Sequence, residues 1–238
     1  MTVHIEIEHA DGKIENRSVS LDRMYNFGSA TRNPDDAVAH QEEVAKVGVG
    51  IAFDIPAPRV YPISPHNLVT DDEVFIHNAE TSGEVEIVIL NDGGELFIGV
   101  GSDHTDRLLE RTSIVWSKQA YPNVLASRFW PMKDLRDHWD DLVVRSWVDG
   151  RSYQDVGVNI FMHPDEMLAK LADRIPNLPN CYVLFSGTYV SVDKSLGFGQ
   201  EWRFEMADPT LGRTISHAYR LTNILDEIVE GYRVPLAR

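Results

Sequence analysis

The segment SGEVEIVIL, residues 82–90, constrains the fold more than any other part of the chain. Side chains alternate along a strand, so Val85, Ile87 and Ile89 cover one face while Val88 and Leu90 cover the other. A strand that is apolar on both faces has to lie inside a sheet covered on both sides. The same segment places Glu84 and Glu86 on the face of Val88 and Leu90, where two carboxylates repel each other and lose hydration. Any fold that buries this strand must therefore bring positive charge to the two acids, as arginine, lysine or a metal ion.

A second Glu-x-Glu serves as a control. In VHIEIEHADGKIENRSVSL, Val3, Ile5 and Ile7 alternate with His4, Glu6 and Glu8, and Asp11-Gly12 supplies a turn. This reads as a hairpin with a wet face, and its acids need no special explanation. Further on, RNPDDAVAHQEEVAKVG predicts a helix with Asn33 as N-cap, Pro34 in the first turn and Gly48 as a stop. The stretch from Pro58 to Val100 is strand-rich, with Asn91-Asp92-Gly93-Gly94 turning SGEVEIVIL into ELFIGVG. DRLLERTSIVWSKQA reads as helical, and LVVRSWV-DG-RSYQ as a hairpin. HPDEMLAKLADRI is an amphipathic helix with Met167, Leu168 and Leu171 on one face. CYVLFSGT, EWRFEM and TISHAYRL are strands, and LTNILDEIVEGY is expected to be a terminal helix. No repeat or low-complexity linker occurs. The pattern predicts one β-rich α+β domain: an N-terminal hairpin appendage (1–30), a core (33–219) and a C-terminal helix (220–238).

Composition narrows the function classes. The formal charge of −15 opposes binding to nucleic acid, whose phosphates it would repel. No apolar run approaches the roughly 20 residues of a membrane helix, and the acidic N-terminus is unlike a signal peptide. A single cysteine, Cys181, rules out an internal disulfide and fits a cytoplasmic location. Ser191-Val-Asp-Lys194 matches Ser-x-x-Lys, a pattern too short to carry weight without companion motifs.

The strand that returns from SGEVEIVIL ends in GVGSDHTDR, which brings Asp103 back toward Glu84 and Glu86. Three carboxylates on adjacent strands suit a hard divalent cation such as Mg²⁺ or Mn²⁺. The competing reading is ion pairing with nearby Arg107 or Lys118. On the first helix, His40 and Glu43 are three residues apart and share a face. A carboxylate there can orient an imidazole as a general base, although such pairs are common on acidic helices.

Taken in order, these pieces resemble the fumarylacetoacetate hydrolase superfamily, as an outlying branch, from about Asn33 to Tyr219. His40/Glu43 resemble that family's water-activating dyad, and Glu84, Glu86 and Asp103 its metal ligands. DHTDR, with Arg107, is similar to its Asp-x-Ser/Thr-Ala-Arg segment. Lys118 in WSKQ falls at a substrate-facing lysine, Gln154 at a glutamine after a hairpin, and Ser186-Gly187-Thr188 at its Thr-Gly-Thr. The departures are a short path from Glu86 to Asp103, TRNPDDAV in place of Gly-x-Asn-Tyr, and Tyr189 in place of proline. The resemblance implies a mixed β-sheet roll, one Mg²⁺ or Mn²⁺ per chain, a homodimer and a small carboxylate substrate. The residues expected at the substrate are Lys118, Arg107, Gln154 and Thr188. The implied activity is metal-dependent hydrolysis of a 2-oxo or 2,4-dioxo acid, acylpyruvate-like, or of a related enol-lactone, from aromatic compound degradation. A 2-oxo acid decarboxylase or hydratase on the same scaffold, and a non-catalytic carboxylate-binding protein, are the alternatives.

Overall fold

The computed structural model describes residues 1–46, 48 and 55–236, with the side chains of Pro34, Ala37, Ala39, His40 and Gln41 outside the described part. The chain opens with β1 (Thr2–Glu8), β2 (Ile14–Ser20), β3 (Arg23–Gly28) and α1 (Pro34–Ala45). It continues with β4 (Arg59–Ile63), β5 (Leu68–Val69), β6 (Glu73–Ile76), β7 (Thr81–Ser82), β8 (Val85–Asp92) and β9 (Glu95–Asp103). Next come β10 (Thr105–Asp106), α2 (Arg107–Glu110), α3 (Ile114–Ala120), β11 (Asn123–Leu125), β12 (Arg128–Pro131), β13 (Val143–Val148) and β14 (Arg151–Gly157). The last elements are α4 (Pro164–Arg174), β15 (Cys181–Phe185), β16 (Glu201–Asp208) and β17 (Arg213–Asn223).

The larger sheet runs β2-β1-β12-β9-β8-β15-β3-β4, with β11 beside β9 and β5 beside β11. It is mixed: β1–β12 and β15–β3 are parallel, β8–β9 and β15–β8 antiparallel. The smaller sheet runs β14-β13-β16-β17-β6. Ile87, Ile89 and Val100 of the larger sheet share a core with Val144, Phe204 and Met206 of the smaller. On the opposite face, Val88 and Leu90 join a second core that draws Val3 and Ile5 from β1, Val19 from β2 and Ile63 from β4. Strands from both ends of the sheet order meet in this second core, so the larger sheet curls around it. The two-sided burial expected of residues 85–90 is observed.

The N-terminal hairpin pairs Thr2 with Ser20 through to Glu8 with Ile14, and β1 extends the larger sheet by pairing with β12. Its acids sit on the wet face as expected, Glu6 meeting Arg128 and Glu8 accepting from Trp130 Nε1. Asn33 caps α1 by accepting from Asp35 N, and Gly48, at φ +90°, donates back to Ala45 O. The segment read as one helix across residues 106–120 is two. Asp106 caps α2 at Leu109 N, and Ser113 starts α3 afresh at Trp116 N.

The expected C-terminal helix is not formed. Leu221, Thr222 and Asn223 are taken into β17 by pairing with Val74, Phe75 and Ile76 of β6. Asn223 then caps only a short 3₁₀ turn, Ile224–Glu227, and a second turn covers Glu230–Tyr232. Ile228 and Val229 are 41% and 72% exposed, so no apolar face is buried that could stabilise a longer helix.

Candidate metal centre and cavity

The second core stops where its face of β8 turns acidic. Glu84 and Glu86 lie at the start of that strand, and Asp103 ends the antiparallel partner β9, with Asp103 N donating to Glu84 O at 3.0 Å. All three are buried, and one carboxylate oxygen from each lies within 4.8 Å of the others. The close approach predicted from the hairpin is therefore realised.

Both sources of positive charge weighed from the sequence bear on this cluster. Arg107, at the head of α2, is fully buried, and Nη2 donates to Glu84 Oε1 at 2.6 Å. Its Nη1 donates to Glu110 at 2.8 Å and its Nε to Ser82 Oγ at 2.7 Å. All three nitrogens thus serve buried protein groups. Arg107, expected at the substrate from the resemblance, is turned from the head of α2 to Glu84, Glu110 and Ser82. Lys118, on α3, donates to Asp103 Oδ2 and lies 3.7 Å from Glu84 Oε2. Even so, Glu86 Oε1 and Asp103 Oδ1 remain without hydrogen-bond partners.

The electrostatics follow from that shortage. Burial, reinforced by the Asp103 charge, raises the Glu86 pKa well above the ordinary carboxylate value despite Lys118. Burial also raises Asp103, against the pull of Lys118. Burial would lower the Lys118 pKa, but Asp103 and Glu84 outweigh it and hold the ammonium charged. His104, next in sequence, does not join the cluster. Its Nδ1 meets Tyr219 OH at 2.9 Å, and burial with nearby Arg107 lowers its pKa to about 3, leaving a neutral ring.

The loop after β15 closes another side. Gly187 N donates to Glu86 Oε2 at 2.8 Å, and this backbone requires glycine. Its φ is +80°, and a Cβ would stand 2.9 Å from Phe27 O. Ser186 Oγ accepts from Ile87 N, and Thr188 Oγ1 donates to Val85 O. Gln154 Oε1 accepts from Val85 N while its Nε2 donates to Thr188 Oγ1 and Tyr189 O. Gln154 therefore ties this loop to β8, and Thr188 faces the cavity.

That cavity, of about 60 Å³, is bounded by Glu84, Glu86, Lys118 and Thr188, and also by Arg59 and Tyr61 of β4 and Glu110. Sequence reading missed these last three. Arg59 and Tyr61 sit on one strand face in RVYPI, but nothing in the sequence shows which strand β4 will neighbour; pairing with β3 is what brings them there. Glu43 is buried and accepts from Ser191 N at 3.1 Å and from Ser191 Oγ. Ser191 thus anchors α1, and its Oγ also accepts from Ser195 N at 2.9 Å, so Ser-x-x-Lys here is a loop brace. His40 lies one turn earlier on α1, and its side chain is outside the described residues.

The fold matches solved structures. A yeast fumarylacetoacetate hydrolase family protein is 13% identical over 85% of this chain and 94% of its own, with a TM-score of 0.63. A 5-carboxymethyl-2-hydroxymuconate delta-isomerase from Mycobacterium smegmatis is 14% identical, covering 93% of this chain and 99% of its own, at a TM-score of 0.59. A 2-keto-3-deoxy-D-arabinonate dehydratase is 15% identical, covering 88% of this chain and 77% of its own, also at 0.59. No curated protein matches the sequence. The architecture expected from the sequence, a β-rich mixed-sheet roll of the fumarylacetoacetate hydrolase type, is the one observed. Residues 27–219 match the family described as "Protein of unknown function (DUF2848)", and the chain belongs to that family.

Proposed function

We propose that the chain is a divalent-metal-dependent hydrolase of a 2-oxo or 2,4-dioxo acid of the acylpyruvate type, or of a related enol-lactone. One observation carries the reading. Glu84, Glu86 and Asp103 are buried with their oxygens within 4.8 Å of one another, yet Glu86 Oε1 and Asp103 Oδ1 have no partner despite Arg107 and Lys118. A hard, oxygen-seeking dication fits this donor set, and Mg²⁺ or Mn²⁺ is the expected ion. When bound there, it would supply Lewis-acid polarisation of a substrate oxygen and offset developing negative charge.

The chain's own groups have separable tasks. Arg107 fixes Glu84, and Gly187 N–H fixes Glu86. Lys118 offers an ammonium at the cavity wall that can meet a substrate carboxylate or an anionic leaving group. Thr188, held by Gln154, orients the carboxylate end. Glu43, held by Ser191, supports His40 as the base that takes a proton from water attacking the distal carbonyl carbon. Neighbours of the same fold are named as a fumarylacetoacetate hydrolase family protein, a 5-carboxymethyl-2-hydroxymuconate delta-isomerase and a 2-keto-3-deoxy-D-arabinonate dehydratase, which supports the reading as an enzyme of small acids.

The test is thermal stability with Mg²⁺ or Mn²⁺, with and without oxalate as a 2-oxo acid mimic, in wild type and Glu86→Gln. Stabilisation that deepens with oxalate and is lost in the variant supports the reading. An indifferent wild type returns the acids to ion pairing. His40→Ala then separates the reactions: unchanged turnover would exclude activated water and favour the decarboxylase or hydratase.

A further inference from the structure

Behind Asp103 stand two buried amides that the proposed chemistry does not use. Asn26 is fully buried in the middle of β3, a position where strands disfavour asparagine. Asn123 is fully buried at the start of β11, directly opposite Asp103 in the β11–β9 register. Asn123 Nδ2 donates to Asn26 Oδ1 at 3.3 Å. Asn26 Nδ2 lacks a well-formed hydrogen bond, and so does Asp103 Oδ1. The Asn26 amide nevertheless lies within hydrogen-bonding reach of the Asp103 carboxylate. A buried donor left unsatisfied beside an unsatisfied acceptor is costly in any protein, so the pair calls for a state in which both are used.

We propose that Asn26, backed by Asn123, is a positioning residue that holds the Asp103 carboxylate in its cation-ligating orientation. The inference rests on reading Glu84, Glu86 and Asp103 as a cation site. The residue type suits the task. Lys118 also grips Asp103, but its ammonium competes electrostatically with a dication. A neutral amide orients the same carboxylate without that competition, as partners behind metal ligands commonly do. Asn123 fixes the amide by occupying its oxygen, which leaves Nδ2 directed to the acid.

The experiment is calorimetric titration of Mn²⁺ into the EDTA-stripped full chain, as wild type, Asn26→Leu, Asn123→Leu and Glu86→Gln. Asn26→Leu is expected to weaken Mn²⁺ binding roughly 10–100-fold, the range for removing a partner behind a metal ligand. Its metal-free melting temperature should fall no further than that of Asn123→Leu, which breaks the same Asn123–Asn26 hydrogen bond, while its Mn²⁺ affinity falls further; a purely structural role would lower Mn²⁺ affinity equally in both. Asn123→Leu should weaken binding in the same direction by less. Wild-type affinity in Asn26→Leu would overturn the proposal while leaving the cation site standing. Should that variant fail to fold, wild-type affinity in Asn123→Leu overturns it instead. Absence of Mn²⁺ binding by wild type, with Glu86→Gln no different, would remove the cation site and this inference with it.

Discussion

Replacing Arg107 by methionine tests the charge arrangement without touching a cavity-facing group. The guanidinium is fully buried and donates to Ser82, Glu84 and Glu110 at 2.7, 2.6 and 2.8 Å. Methionine keeps much of the volume but leaves Glu84 and Glu110 without their shared cation. Breaking a buried ion pair by removing one partner costs about 3–5 kcal/mol, because the other charge stays buried. Lys118 lies 3.7 Å from Glu84 and relieves part of that loss, which places the expected value inside this range although two acids are exposed to it. For a domain of this size each kcal/mol lowers Tm by about 2–4 °C, so a fall of roughly 6–20 °C is predicted in EDTA. Thermal unfolding followed by circular dichroism reads it directly. The double variant Arg107→Met/Glu110→Leu should recover part of the loss, with a coupling of about 0.5–3 kcal/mol, since one stranded carboxylate has gone. A Tm within a degree of wild type for Arg107→Met would refute the assignment of Arg107 as the buried counter-charge.

Three further outcomes follow from named contacts. Gly187→Ala should cost about 1–3 kcal/mol, from the positive φ and the 2.9 Å approach to Phe27 O, and should weaken Mn²⁺ binding by moving the N–H that holds Glu86; unchanged Mn²⁺ affinity would contradict that role. Lys118→Met should lower Tm in EDTA, and Mn²⁺ should then raise it by more than in wild type, because a dication replaces the missing charge; a smaller Mn²⁺ effect in the variant would count against it. Asp208 provides a pH test away from the cavity. Burial alone would raise its pKa, but hydrogen bonds from Leu211 N–H, His138 and Arg213 hold it below the usual value. Its stabilising contribution is therefore complete above the unfolded pKa of about 3.9 and is lost as pH falls through the lower native pKa. The stability gap between wild type and Asp208→Asn should be constant near neutrality and shrink in acid; a gap that widens in acid would reverse the assignment.

Much of the fold was legible because alternation and turn chemistry are local. Val85–Leu90 read as a doubly covered strand, and Asn91–Gly94 as its turn, without knowledge of what covered them. The same locality explains the failure at the C-terminus. LTNILDEIVEGY carries helix-compatible residues, but β6 claims its first three for a strand, and β6 lies far away in sequence. The site divides in the same way. Glu84, Glu86 and Asp103 are joined by one hairpin, so their meeting could be anticipated. Lys118 follows two short helices later and was placed by resemblance. Arg107 was placed by resemblance and also weighed as an ion-pair partner of the acids, and its guanidinium is turned to Glu84 and Glu110. Asn26, Arg59 and Tyr61 reach the site through the β3–β4 pairing, which no periodicity in the sequence announces.

The two glutamates of residues 84–86 belong to a cluster with a definite charge imbalance. Among the described residues, Glu84, Glu86, Asp103 and Glu110 are buried with Arg107 and Lys118, and the half-buried Arg59 lines the same cavity. Four carboxylates against these three cations leave one negative charge if every acid is ionised. The imbalance is also localised. Arg107 serves Glu84 and Glu110, Lys118 serves Asp103 Oδ2, and Gly187 N–H serves Glu86 Oε2. What is left over is Glu86 Oε1 and Asp103 Oδ1, on neighbouring strands. Burial first, and then the neighbouring Asp103 charge, raise the Glu86 pKa, so that without more positive charge the cluster lowers its energy by keeping a proton. Acids retained only for ion pairing would have no reason to leave two buried oxygens without a cation. A site that exchanges that proton for a metal ion would.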